Sequence, residues 1–361
     1  MRTDVAPAEP IVAPAEALDH EQVLVRRGAR TGLYTIVAVH STVLGPALGG
    51  CRMWHYATPR EALTDALRLS RAMTFKAAAA GLSLGGGKGV IHLPHRLVPS
   101  PSLRHELLRD FADAVSALEG RYITAEDVGT TSEDMATLAR FTPYVVGRPG
   151  GAGDPGAFTA TGVQAAMRAC ATQAFGSSDL AHRTVAVVGL GSVGAALARG
   201  LAAAGAELVL SDIDGAKAEL AAELGGRWLE PEDALAAEVD VLAPCALGGV
   251  LDAGHVARLR CRVVCGAANN QLADDALAET LHGRGVLYAP DFIVNAGGLI
   301  NVSLELTGYD DEMARRRCAE IEDVLGRVLA HAKAHGTPPL AAAHELAGRW
   351  LTAAGAASGS S

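Results

Sequence analysis

The segment Val185-Ala186-Val187-Val188-Gly189-Leu190-Gly191-Ser192-Val193-Gly194 constrains the fold more than any other stretch of the chain. An apolar, strand-like run enters three glycines spaced G-x-G-x-x-G, and an Ala-rich helical stretch follows. Gly189 permits a tight turn and Gly191 lets a pyrophosphate approach the backbone. Gly194 lets helix and strand pack closely, and the helix N-terminus, with Ser192 and Val193 in its first turn, faces the anion. Asp212 ends the next strand, eighteen residues after Gly194, where a carboxylate accepts ribose hydroxyls. A ligand-free glycine turn would account for the glycines and leave the acid unexplained. With Asp212 and Asp214 in that loop and Lys217 the nearest cation, a 2′-phosphate is disfavoured. NAD is therefore expected over NADP, unless an arginine reaches in from another strand.

Strand-like and helix-like stretches continue to alternate after this motif, which predicts a parallel sheet with right-handed crossovers. Before it, strand-like runs at 23–27 and 33–40, a helix over 60–75 and a second helix over 105–118 make up a separate α/β part. The densest breaker cluster, Gly147 to Gly156, marks the boundary. The expected division is a flexible extension at 1–17, a substrate and catalytic domain at 18–148 and a dinucleotide-binding domain at 149–310. Helices at 311–350 are expected to return to the first domain, and 351–361 to form a flexible tail.

At 361 residues the chain has room for two cores. Hydrophobic residues make up 49% and charged residues 20%, which excludes a disordered chain. A net charge of −9 argues against nucleic acid or an anionic membrane as partner. The six cysteines form no C-x-x-C pair, so a reduced, intracellular protein is expected. The twelve histidines show no H-E-x-x-H spacing, and no metal is expected. The Pro/Ala-rich, acidic start lacks the features of a signal peptide. No uninterrupted apolar run approaches the ~20 residues of a membrane span.

A second informative stretch is Met73 to Val90, MTFKAAAAGLSLGGGKGV. Lys76 closes a helical run, and Lys88 follows three glycines and leads into a strand-like segment. A glycine-lined, apolar wall with two amines suits a small anion, and burial plus mutual repulsion would push one lysine toward its neutral form. The bland alternatives are a solvated Lys88 at a strand start and a Lys76 that merely complements the helix macrodipole. A phosphate loop is ruled out, because Leu82 stands where the first glycine belongs and Gly89 where Ser or Thr belongs.

Taken in order, GPALGGCRMW, MTFKAAAAGLSLGGGK, TAEDVGT, GGAGDP, VGLGSVG, GAANNQL and YAPDFIVNAGGLIN resemble the Glu/Leu/Phe/Val dehydrogenase family, closest to its leucine, valine and phenylalanine members. The resemblance runs from Gln22 to His335. It implies an α/β protein with a mixed-sheet substrate domain, a Rossmann-type NAD domain and a cleft between them. It also implies a cytoplasmic homo-oligomer that works on an amino acid, its 2-oxo acid and ammonia. By the same resemblance Lys76 binds the substrate carboxylate, with Gly49 offering backbone to it. Lys88 is the catalytic lysine and Asp127 its acid/base partner. Asn270 lies near the substrate amino group, Asn295 is a further cofactor or substrate contact, and Thr159 holds the nicotinamide amide. The stretch GAFTATGV departs from the family's wording just before that threonine. The side-chain pocket falls to Leu48, Ala125, Leu299 and Val302.

The chemistry is coherent on its own terms. Oxidative deamination leaves an imine that water must attack, so a base is needed near neutral pH, and a buried lysine beside a second cation supplies one. A carboxylate between two cations can carry the amine's protons in either direction. Four apolar pocket residues make glutamate a poor candidate and favour valine, isoleucine and leucine, with phenylalanine as the runner-up. A catalytically inactive NAD-binding regulatory protein is the alternative from another class, and retention of Lys76, Lys88 and Asp127 together argues against it. A hydroxy-acid dehydrogenase would need a histidine beside these motifs, and none accompanies them.

Overall fold

The computed structural model of the protein describes residues 19–358. The extension expected at 1–17 lies outside the described residues. The chain forms two compact units: one comprises residues up to 74 with 83–149, the other 75–82 with 150 onward.

The first unit contains β1 (Gln22–Arg27), β2 (Tyr34–Ser41), β3 (Ala47–His55), α1 (Pro59–Ala79), β4 (Gly85–Leu93), α2 (Pro101–Ser116), β5 (Tyr122–Glu126) and α3 (Ser132–Leu138). The last turn of α1 is grouped with the second unit. The sheet order is β1-β2-β4-β3-β5. β2 is antiparallel to both β1 and β4, whereas β3 runs parallel to β4 and β5, so the sheet is mixed. Alternate residues face opposite ways along a strand. Val37, Val39, Cys51, Met53 and Ile91 accordingly pack with Phe111 of α2 and Met135 of α3. Ile36, Ala38 and Val90 pack on the other face against Ala62, Leu63 and Ala66 of α1. Thr131 and Asp134 form a reciprocal capping box at the start of α3.

The glycine-rich stretches are placed differently from expectation. GPALGGCRMW reads as a loop entering a strand, and the three glycines before Lys88 as leading into one, yet Gly49 and Gly50 lie inside β3 and Gly85, Gly86 and Gly87 inside β4. The reason is close packing rather than turning. A Cβ at position 86 would stand 2.0 Å from the Thr74 nitrogen, and one at 87 would stand 2.6 Å from the Tyr122 ring. Lys88 is thus a mid-strand residue.

The second unit opens with α4 (Pro155–Phe175), which Asp154 caps. Next come β6 (Thr184–Val188), α5 (Ser192–Ala203), β7 (Glu207–Ser211), α6 (Ala218–Glu223), β8 (Arg227–Trp228), α7 (Pro231–Leu235), β9 (Val241–Pro244), α8 (Ala253–Arg258), β10 (Val263–Val264), α9 (Leu277–Gly283) and β11 (Leu287–Tyr288). The strands are all parallel in the order β11-β10-β9-β6-β7-β8. The winding therefore reverses between β6 and β9, and ligands of such sheets bind beyond the carboxyl ends of the strands at that point.

Helices α10 (Asp291–Val294), α11 (Gly297–Ser303), α12 (Asp311–Ala319), α13 (Ile321–His335) and α14 (Pro339–Ser358) complete the chain. The helices beyond 311 are grouped with this second unit; α12 and α13 pack on α4, and α14 on α13. The run 311–335, which reads as one segment, is two helices divided at Glu320. Residues 351–358, expected as flexible tail, are helical, in keeping with the high helix propensity of their alanines. Residues 359–361 lie outside the described residues. Among the described residues no helix is long and apolar enough to cross a membrane. All six cysteines are unpaired.

Candidate active site

In the first unit Lys88 sits opposite Ala38 of β2, on the face that carries Val90 toward α1. Its side chain is only 5% exposed, and its Nζ lies 2.9 Å from Oδ2 of Asp127. Asp127 follows β5 in a turn whose backbone is fixed by Thr130: the Asp127 N–H donates to Thr130 Oγ1 at 3.0 Å, and that hydroxyl donates to the Cys51 carbonyl at 2.8 Å. Lys88 and Asp127, predicted as a pair, are therefore in direct contact.

A third member was not singled out in the sequence. Arg52 of β3 donates from Nε to the same Oδ2 of Asp127 at 2.9 Å, and from Nη1 to Asp65 Oδ2 at 2.8 Å. Tyr56 donates its hydroxyl to Asp65 Oδ2 at 2.7 Å, and Arg68 donates to Oδ1 at 2.9 Å. The signal for Arg52 was an arginine within a glycine-rich strand whose neighbours Cys51 and Met53 are core residues.

The electrostatics follow from this cluster. Burial pushes the Lys88 ammonium below its ordinary value; Asp127 opposes the shift, and the charge of Arg52 adds to it. Burial works to raise the Asp127 carboxyl, but Lys88 and Arg52 outweigh it and hold the group below its usual range. The cation beside the pair was expected to be Lys76. Within the first unit Arg52 stands beside the pair, since β3 runs next to β4 with Arg52 facing Val90 in register.

Gly49 and Leu48 lie in β3, and Ala125 lies in β5 opposite Gly50. The Gly49 carbonyl accepts the Tyr122 hydroxyl at 2.6 Å. Leu48 and Ala125 are buried.

Lys76 belongs to the second unit, where its Nζ donates to Asn269 Oδ1 at 3.4 Å. Asn295 Nδ2 donates to the same oxygen at 2.8 Å. Asn270, which the resemblance places near the substrate amino group, is exposed and holds a left-handed backbone (φ 49°), and its carbonyl accepts the Gly249 N–H at 2.6 Å. Asp291 also lies near Lys76; burial raises its carboxyl and Lys76 opposes the shift. Leu299 and Val302 lie on α11, so the four predicted pocket residues divide two and two between the units.

At the carboxyl end of β6 Gly189 adopts φ 103°, and a Cβ there would stand 2.7 Å from Ala246. A Cβ on Gly194 would stand 1.8 Å from the Gly189 carbonyl oxygen. Above Gly191, by contrast, nothing lies within 4 Å, and as N-cap of α5 it leaves the helix amides without a side-chain cap. Ser192 Oγ donates to Asp154 Oδ2 at 2.8 Å, and Val193 follows it in the first turn. Asp212 accepts the Leu190 N–H at 2.6 Å and the Asp214 N–H at 2.9 Å, so the carboxylate is held where the turn begins. Arg227, at the start of β8, lines a cavity with Thr184 and Asp240 at the amino ends of the strands, the opposite end from the glycine turn. Thr159 on α4 donates to the Pro155 carbonyl at 2.8 Å and faces Gly298 of α11. Asn295 Oδ1 is buried without a partner. An open glycine turn, uncapped helix amides, a fixed carboxylate and an orphaned amide oxygen together fit a dinucleotide.

Comparison with known proteins agrees. Residues 20–144 match the family model described as Glu/Leu/Phe/Val dehydrogenase, dimerisation domain, and residues 217–359 match Glutamate/Leucine/Phenylalanine/Valine dehydrogenase. Residues 159–247, which include the glycine turn and Asp212, match D-isomer specific 2-hydroxyacid dehydrogenase, NAD binding domain. The chain is 44% identical to leucine dehydrogenase of Geobacillus stearothermophilus over 92% of this chain and 90% of that one. It is 44% identical to valine dehydrogenase of Streptomyces albus, covering 91% of each. Among solved structures, L-tryptophan dehydrogenase from Nostoc punctiforme superposes with a TM-score of 0.83 at 39% identity, over 94% of this chain and 98% of that one. With the buried lysine–aspartate pair in one unit and the NAD-binding turn in the other, the chain belongs to the Glu/Leu/Phe/Val dehydrogenase family.

Proposed function

We propose that the protein catalyses the reversible, NAD-dependent oxidative deamination of the branched-chain amino acids leucine, valine and isoleucine, giving the 2-oxo acid, ammonia and NADH. The observation that carries the reading is the buried contact of Lys88 with Asp127, in a chain so similar to leucine and valine dehydrogenases. Bound NAD supplies the hydride acceptor for Cα.

The chain's own residues do the rest. Gly189, Gly191, Gly194, Ser192 and Val193 cradle the pyrophosphate, and Asp212 takes the ribose hydroxyls. Asn295 and Thr159 orient the nicotinamide amide. Lys76 grips the substrate carboxylate through a charge-assisted contact, with Gly49 beside it and Asn269 or Asn270 near the amino group. Lys88, depressed by burial and by Arg52, withdraws a proton from the attacking water. Asp127, whose Oδ2 is held by Lys88 and Arg52, receives the proton of the substrate amine and returns one to the departing ammonia. Leu48, Ala125, Leu299 and Val302 receive the aliphatic side chain.

The family model's dimerisation domain supports a homo-oligomer, which light scattering on the purified protein checks. Six unpaired cysteines favour a cytoplasmic location. The deciding experiment is a panel of amino acids with NAD, followed by NADH absorbance. Leucine, valine and isoleucine should give kcat/KM above phenylalanine and tryptophan. An aromatic preference defeats the substrate choice, and silence across the panel defeats the enzyme.

A further inference from the structure

Two cations meet a single oxygen of Asp127. Lys88 Nζ and Arg52 Nε both lie 2.9 Å from Oδ2. Arg52 is held from behind by Asp65, which in turn is held by the Tyr56 hydroxyl and by Arg68. This chain of contacts runs from α1 through β3 to the turn after β5. We propose that Arg52 is a positioning residue for the deamination chemistry: it pins one oxygen of Asp127 beside Lys88 and so leaves the other free to pass protons. The proposal rests on reading Lys88 as base and Asp127 as proton carrier.

The physical need is specific. Lys88 must alternate between charged and neutral forms. Each time it becomes neutral, a mostly buried carboxylate would lose its counter-ion and take up the proton itself. A permanently charged guanidinium on the same oxygen keeps Asp127 ionised through that change. Only a fork can do so while also bonding Asp65, because Nε and Nη1 point to different carboxylates. The other groups facing the pair are Cys51, and farther off Arg104 with Asp134, which bond each other. The Tyr122 hydroxyl is committed to the Gly49 carbonyl.

The test is the pH dependence of kcat for leucine in Arg52→Gln, Arg52→Lys and Asp65→Asn, with Lys88→Ala as control. Arg52→Gln should lower kcat about tenfold or more while the leucine KM moves less than about twofold, and the rising limb should shift to higher pH because Lys88 loses a nearby positive charge. Arg52→Lys should restore the limb and leave kcat low, since one ammonium cannot bridge both acids. Asp65→Asn should shift the limb the opposite way, to lower pH, because it removes a negative charge; this variant carries the test if Arg52→Gln does not fold. An unshifted limb in both Arg52→Gln and Asp65→Asn, with Lys88→Ala inactive, overturns the role of Arg52 alone. An active Lys88→Ala overturns the base assignment and this proposal with it.

Discussion

Replacing Asp127 with Asn keeps the side chain's shape and removes its charge, which separates geometry from electrostatics at the centre of the site. Asp127 accepts from Lys88 and from Arg52, each at 2.9 Å. A hydrogen bond to a charged acceptor contributes about 1 kcal/mol more than one to a neutral acceptor, so two such bonds lose about 2 kcal/mol. Relief of carboxylate desolvation returns part of this, and the expected deficit at neutral pH is about 1–2 kcal/mol. The sign with pH follows from linkage. Lys88 sits below its unfolded value of 10.5 in the folded chain, so folding releases its proton within that window and stability rises with pH across it. Without Asp127 the window extends lower, and the deficit shrinks as pH climbs toward 10.5, where the unfolded chain sheds the same proton. In acid the parent loses the stability that Asp127 gives above 3.8 as pH falls through its lower folded value, so the gap closes there too. Urea titration across pH reads this. Turnover should fall about 10²-fold or more, equivalent to about 2.7 kcal/mol of barrier, because the proposed proton carrier is gone. The kcat limb should move to lower pH, as Lys88 loses the carboxylate in contact with it. NADH formation from leucine within about threefold of the parent, or a limb moving to higher pH, refutes the reasoning.

Gly49→Ala would place a Cβ 1.7 Å from the Gly87 carbonyl oxygen. The β3–β4 pair must part to admit it, at a cost of about 3 kcal/mol that calorimetry should read as a lowered Tm. Asp212→Ala removes the carboxylate that braces Leu190 and should raise the KM for NAD about tenfold with the leucine KM unchanged; equal changes in both would point to general damage. Leu299→Ala opens the α11 wall by three carbons and should raise the phenylalanine-to-leucine ratio of kcat/KM about tenfold, on the usual scale of 1–3 kcal/mol for methylene-sized changes. A falling ratio would remove Leu299 from the pocket.

The dinucleotide half was readable because its constraints are local. A strand, three glycines and an acid at fixed spacing imply one another, and Gly189, Gly194 and Asp212 occupy the places this logic demands. The contact of Lys88 with Asp127 came from family wording, and the parallel pairing of β3 with both β4 and β5 explains it only afterwards. Arg52 went unnoticed because its two carboxylate partners, Asp65 and Asp127, lie on different elements that only the sheet order brings together. The contact of Asn269 with Lys76 was not legible, because a left-handed residue inside a polar pair leaves no mark in composition. The glycines of β3 and β4 misled for a related reason: the aromatic ring that excludes a Cβ at position 87 is that of Tyr122, far along the chain.

Lys88 is carried by the central strand of a five-stranded sheet, bonded on both sides. Backbone amides in such a strand exchange with solvent only when the whole cooperative unit opens. The proposed base is therefore mounted on the most protected part of its unit, unlike a reactive group on a surface loop that frays on its own. Heating has no partial route to misplacing it, and inactivation and cooperative melting of that sheet become one event.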